Sequence, residues 1–145
     1  MHKSNISINC HVSNLIQVRT FLGTELGRIS LDEIQANRII LAVDEACANA
    51  VIHGNKNNQH LTIHIDITLD NKLVEIEIYD IGQFDKESSR MVNGSCFHSY
   101  FDVQKNIISR KKGGLGLCLI YKLMDEVNFY ERNKISVCCL KKYLT

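Results

Sequence analysis

LAVDEACANAVIHG, residues 41–54, is the stretch whose reading decides this chain. Its small apolar residues recur at helical spacing, and Glu45, Asn49 and His53 follow one another at every fourth position. Side chains at i, i+4 and i+8 share nearly one face of an α-helix. A stripe of carboxylate, amide and imidazole does not help a helix bury itself, because buried polar groups cost free energy unless they are paired. Such a stripe faces a ligand, a metal or water.

Working outward, Ser30-Leu31-Asp32-Glu33 has the pattern of a capping box. It predicts a helix over 31–53, ended by Gly54 and the polar run NKNNQ. Upstream, Ile6, Ile8, Cys10 and Val12 alternate with polar residues and predict a half-buried strand over 5–12. Ser13 is placed to cap a helix running to about residue 28, with Leu15, Val18, Leu22 and Leu26 as its apolar stripe. Downstream, 60–69 and 73–79 alternate cleanly and are joined by an Asp70-Asn71 turn, which predicts a hairpin. The pattern dissolves from 82 to 112, a length typical of a functional lid or a partly disordered segment. A third helix is expected from Gly114 to about Met124. Strands over 126–132 and 135–142 follow, around Arg132-Asn133-Lys134. The order β-α-α-β-β-loop-α-β-β, with strands in hairpin pairs, predicts an α+β fold: a two-layer sandwich with an antiparallel or mixed sheet and helices on one face.

With 145 residues and 45% hydrophobic content, the chain has the size of one domain with a sizeable core. The net charge of +1 gives no electrostatic case for direct nucleic-acid or anionic-membrane binding. No apolar run approaches the ~18–20 residues of a membrane span. MHKSNISINC lacks the apolar core of a signal peptide, so a cytoplasmic protein is expected. The six cysteines, Cys10, Cys47, Cys96, Cys118, Cys138 and Cys139, form no C-x-x-C pair. Four of them lie in apolar-periodic segments and read as buried free thiols. The histidines show no zinc-like spacing with them.

Three segments carry candidate chemistry. Asn49 offers an oxygen ligand of the kind Mg²⁺ accepts when substrate phosphates and waters supply the rest. The plainer alternative is an amide bonded to a neighbouring backbone. Glu45, one turn earlier, can orient or deprotonate a hydroxyl or water attacking a terminal phosphate; a solvated glutamate is the alternative. Asp44 points about 100° away and reads as a surface or interface residue. Asp80 ends an apolar strand before Ile81-Gly82, where a carboxylate can accept a hydrogen bond from an exocyclic amine. It can equally form a turn. Gly113-Gly114-Leu115-Gly116 opens a helix after Arg110-Lys111-Lys112, a combination suited to phosphate. It is neither a Walker loop nor a dinucleotide fingerprint.

In this order the segments resemble the ATPase superfamily shared by gyrase, the Hsp90 chaperones, histidine kinases and MutL. They are most similar to the small bacterial anti-sigma factor serine-protein kinases. The N-box pattern E-A-x-x-N-A-x-x-H-G stands here as EACANAVIHG, 45–54. The D-x-G box stands as Asp80-Ile81-Gly82, and the last glycine box as GGLGLCLIYKLMDEV, 113–127. The resemblance covers nearly the whole chain, and implies one ATPase domain of the Bergerat type over 1–145 with an ATP lid over about 86–112. It implies that Glu45 is the general base for a substrate serine and that Asn49 binds Mg²⁺. Asp80 would bind the adenine amino group, Gly82 would shape the base pocket, and Lys112, Gly114, Leu115 and Gly116 would contact the phosphates of ATP. Ser136 would supply a hydroxyl near adenine. The implied activity is an ATP-dependent serine/threonine protein kinase acting as an anti-sigma factor. It would phosphorylate a small anti-anti-sigma antagonist of the STAS type, hold a sigma factor or equivalent regulator, and form a homodimer. The segment Gln83-Phe84-Asp85 departs from the family by being one residue short of the usual further glycine or proline. Two other readings stay open: an ATP-binding sequestration module with little kinase activity, and a stand-alone histidine-kinase catalytic domain. The last needs a phospho-accepting histidine on a dimerising helix, and 13–28 contains none.

Overall fold

The computed structural model describes residues 1–54, 58–80 and 114–144. The elements in chain order are β1 (His2–Asn9), a 3-10 turn (Val12–Asn14), α1 (Leu15–Leu26), α2 (Glu33–Asn49), a π-helical turn (Ala50–Gly54), β2 (Thr62–Leu69), β3 (Leu73–Asp80), α3 (Gly114–Leu123), β4 (Glu126–Arg132) and β5 (Ile135–Tyr143).

The five strands form one sheet in the order β1-β2-β3-β5-β4, and every described pairing is antiparallel. Alternation decides the faces. Ile63, Ile65, Ile67 and Leu69 of β2 and Val74, Ile76 and Ile78 of β3 point to one side and are buried. Against them pack Leu15, Val18, Leu22 and Leu26 of α1, Ile39, Ala42, Val43, Ala46 and Cys47 of α2, and Leu117 and Ile120 of α3. Burying one such aliphatic side chain is worth roughly 1.5–3 kcal/mol. Differences in helix propensity among ordinary residues stay below about 0.7 kcal/mol. Packing, rather than propensity, therefore fixes the helices on that face. The opposite face is polar and aromatic. There Val137 lies opposite both Tyr79 and Tyr130, whose hydroxyls both donate to Glu77 Oε2, at 3.1 and 2.8 Å.

Several boundaries depart from the sequence reading. The first strand runs over His2–Asn9 rather than 5–12, and Val12 is exposed. Past Asn9 the chain turns, because the His11 imidazole accepts a hydrogen bond from the Ser13 amide and starts the 3-10 turn. Ser13 is therefore not the cap of α1; Asn14 is, without a side-chain hydrogen bond. The Ser30–Glu33 box does not form either. Asp32, in extended conformation, is the N-cap of α2, its Oδ1 accepting from the Gln35 amide at 2.7 Å. Helix α2 is α-helical only to Asn49, and His53 falls in the π turn. The i, i+4, i+8 arithmetic thus stops at Asn49. The hairpin turn is as expected: Asp70 Oδ1 accepts from the amides of Lys72 and Leu73 at 2.7 and 2.8 Å. The β4–β5 turn places Asn133 and Lys134 at φ 53° and 66°, the left-handed pair of a two-residue hairpin loop. The lid expected over 86–112 lies outside the described residues.

Among the described residues no helix is long and apolar enough to cross a membrane. None of the described cysteines, Cys10, Cys47, Cys118, Cys138 and Cys139, forms a disulfide. Burial pushes the Cys47 and Cys138 thiols far up, and Cys139 up to about 11. At neutral pH they are packing groups rather than nucleophiles.

Candidate nucleotide site

The described candidate residues lie toward one end of the sandwich. Asp80 is the last residue of β3 and is cross-strand partner to Ile63 at the start of β2 and to Ser136 at the start of β5. Parity along β3 turns its side chain toward the helix layer with Val74, Ile76 and Ile78, and only 8% of Asp80 is exposed. Ser136, with 9% exposure, lies beside it. A buried carboxylate next to a buried hydroxyl at a strand end suits a ligand that offers a donor and an acceptor side by side.

Helix α2 ends over the same end of the sheet. The Cys10 thiol donates to the carbonyl of Val51 at 3.6 Å, and the Cys10 amide to the carbonyl of Leu61 at 3.0 Å, immediately before β2. These contacts tie the π turn after Asn49 to the strand end that carries Asp80. Glu45 and Asn49 occupy the last turns of α2, one turn apart, as their spacing predicts. The Asn49 Nδ2 is buried and makes no hydrogen bond to the protein. A buried amide with unused bonding capacity is costly in a finished core and fits a position reserved for a ligand. Its other atom is the neutral oxygen that a hard cation accepts, so the residue is compatible with Mg²⁺ held jointly with phosphates.

Glu45 is half-buried. Burial holds its carboxyl above the usual value, and the neighbouring Asp44 charge pushes it further in the same direction. Asp44, expected at the surface or an interface, is partly exposed and forms a surface ion pair. Arg19 of α1 donates to its two oxygens at 2.7 and 3.4 Å, which fastens α1 to α2 beside Glu45. No local spacing signals this pair, since the residues are 25 positions apart.

Helix α3 begins at Gly114 and packs along α2. Its first turn comes against Glu45: a Cβ added at Gly116 would stand 2.6 Å from Glu45 Oε2. The structure thus brings together Glu45, Asn49 and Gly116, and pairs Asp80 with Ser136. Gly114 and Leu115 belong to the α3 turn through their backbone. Gly82 and Lys112 lie outside the described residues.

The histidine kinase-like ATPase domain family matches residues 9–142. Serine-protein kinase RsbW of Staphylococcus epidermidis is 34% identical over 114 residues, covering 77% of this chain and 67% of that protein. Serine-protein kinase RsbW of Staphylococcus aureus (strain JH9) is 36% identical over 114 residues, covering 76% of this chain and 66% of that protein. The chain thus spans about two thirds of the length of these relatives. A chain in the crystal structure of the SiaB-SiaC complex from Pseudomonas aeruginosa superposes with a TM-score of 0.61 at 12% identity, covering 97% of this chain and 89% of that one. At that identity the likeness bears on the fold alone. By its sequence, this chain belongs to the histidine kinase-like ATPase domain family, on the branch that holds the RsbW serine-protein kinases.

Proposed function

We propose that this chain is an ATP-dependent serine/threonine protein kinase that acts as an anti-sigma factor. Its substrate is a small anti-anti-sigma antagonist of the STAS type, and its second partner is a sigma factor or equivalent regulator. The reading takes residues 1–145 as one ATPase domain with its lid over 86–112, working as a cytoplasmic homodimer. It is supported by the kinship to the RsbW serine-protein kinases. The observation that carries it is the pair on α2: a half-buried carboxylate with a raised pKa, one turn from an amide whose buried nitrogen has no hydrogen-bond partner.

In this reading Asp80 accepts a hydrogen bond from the adenine amino group, with Ser136 beside it and Gly82 shaping the pocket. Gly114, Leu115 and Gly116 offer the open N–H groups of a helix N-terminus to the phosphates, and Lys112 adds charge. Asn49 Oδ1 would be the protein ligand of Mg²⁺, which would supply positive charge to the phosphates. Glu45 takes the proton of the substrate serine hydroxyl as its oxygen attacks the γ-phosphorus and ADP leaves. Burial and the Asp44 charge raise its pKa, which makes it a stronger base than an exposed glutamate. A phosphate on the antagonist then weakens one complex and frees the kinase for the other.

The test is capture of partners from the native cell with and without ATP, followed by transfer from labelled ATP. Acid-stable label on a serine of the captured protein, absent with Glu45→Ala, supports the kinase. Nucleotide-dependent capture without transfer means a sequestration module, and acid-labile label means a histidine-kinase domain.

A further inference from the structure

Gly116 stands in the first turn of α3, where alanine would serve the helix better, because glycine is the poorest helix former apart from proline. The space at that position supplies a reason for the glycine. A Cβ there would lie 2.6 Å from Oε2 and 3.6 Å from Cδ of Glu45, and the first distance is far inside ordinary contact of about 3.5–4.0 Å. The carboxylate therefore occupies the volume that any side chain at 116 would fill. The other glycines with described surroundings behave differently: Gly23 has open space, and Gly27 meets only backbone carbonyls of its own helix.

We propose that Gly116 is a positioning residue for Glu45: by carrying no side chain it lets the carboxylate lie against the first turn of α3, and so sets the rotamer from which the base works. This role rests on the reading of Glu45 as the general base, and it is separate from a phosphate contact. A phosphate would be met by the Gly116 backbone N–H, which alanine retains. The clashing atom is the free end of a flexible side chain, so an added methyl turns the carboxylate away without disturbing the core. Misplacement of a catalytic group by about 1 Å can cost about 10²-fold in rate. Gly116→Ala is thus expected to damage phosphotransfer while sparing fold and nucleotide binding.

The experiment compares the full chain with Gly116→Ala, Glu45→Gln, Glu45→Asp and the Gly116→Ala/Glu45→Asp pair. The first readout needs neither nucleotide nor partner: the carboxyl carbon resonance of Glu45, assigned by comparison with Glu45→Gln. It moves in Gly116→Ala while the melting temperature does not fall. The second readout is Mg·ATP affinity, unchanged within about threefold, set against γ-phosphate transfer to water or captured substrate, which falls about 10²-fold. The third is the double-variant cycle: in the Glu45→Asp background, where the carboxylate is one methylene shorter, adding Gly116→Ala costs much less than in the parent. An unmoved Glu45 resonance overturns the proposal, as does full transfer in Gly116→Ala when Glu45→Gln has lost it. Equal loss of affinity and transfer assigns Gly116 to phosphate binding and also overturns it. Transfer retained in Glu45→Gln defeats the general-base reading instead, and is distinguishable because the resonance still reports the contact.

Discussion

Arg19 Nε stands 2.7 Å from Asp44 Oδ1, with a second contact of 3.4 Å between Arg19 and Oδ2, so the carboxylate that precedes Glu45 in sequence is clamped from another helix. Asp44 in turn raises the Glu45 carboxyl, second only to burial. Removing the Asp44 charge with Asp44→Asn lowers the pKa of Glu45. With Glu45 as the proposed base, the acid limb of the phosphotransfer pH profile then moves to lower pH. Arg19→Ala leaves Asp44 uncompensated and moves the limb to higher pH. Profiles measured for both variants check the pair, and a limb that stays in place in both breaks the link from Asp44 to Glu45.

Replacing Asn49 tests the proposed Mg²⁺ site separately from folding. Its Nδ2 makes no hydrogen bond to the protein, so Asn49→Ala removes little that the fold uses. The melting temperature is expected to stay within a few degrees, while Mg²⁺-dependent ATP affinity falls at least about tenfold, equivalent to about 1.4 kcal/mol. Calorimetric titration with ATP, in Mg²⁺ and then in EDTA, measures both. Unchanged affinity in Mg²⁺ removes the metal assignment.

A carboxylate at Asp80 offers acceptors alone, and an amide in its place adds a donor. Asp80→Asn is expected to weaken ATP binding by about 1.5–3 kcal/mol, the worth of a hydrogen bond to a charged group. It should also narrow the preference for ATP over GTP. Ser136→Ala, which removes only the neighbouring hydroxyl, costs less. Competition between ATP and GTP for a fluorescent adenine nucleotide reads the preference. Equal binding of the two by the parent protein takes Asp80 out of base recognition.

The legible parts of this chain are those governed by local periodicity. The alternation of 60–69 and 73–79 states which residues face the core, and β2 and β3 carry that parity through to Asp80. Glu45 and Asn49 were legible because four residues make one turn of helix, and the arithmetic failed at His53 because the helix widens into a π turn after Asn49. What was not legible is set by contacts across long separations. The neighbour of β3 is β5 rather than β4, Arg19 meets Asp44, and Glu45 fills the space beside Gly116. Caps fall between these cases. Ser30 and Asp32 can both cap a helix, and the extended conformation of Asp32 over the Gln35 amide selects it.

Glu25 supplies a prediction about the fold itself. It is buried near the end of α1, His2 Nε2 stands 2.7 Å from its Oε2, and Arg28 Nε stands 3.2 Å from the same oxygen. Burial alone would raise its carboxyl, but the bonds from β1 and the Arg28 charge outweigh burial and hold it below the ordinary value of 4.5. A carboxyl whose pKa falls on folding binds its proton more weakly in the folded state. It therefore stabilises the fold above its unfolded pKa, and that contribution is lost as the pH drops through the folded value. Glu25→Gln keeps the shape and removes the charge. The variant is expected to melt lower than the parent at pH 7, and the gap is expected to close as the pH falls below the ordinary carboxyl value of 4.5 and the parent loses the contribution. Melting curves by circular dichroism across that range test it. A gap that stays constant with pH would show that Glu25 acts through packing, leaving its charge without a part in tying β1 to α1.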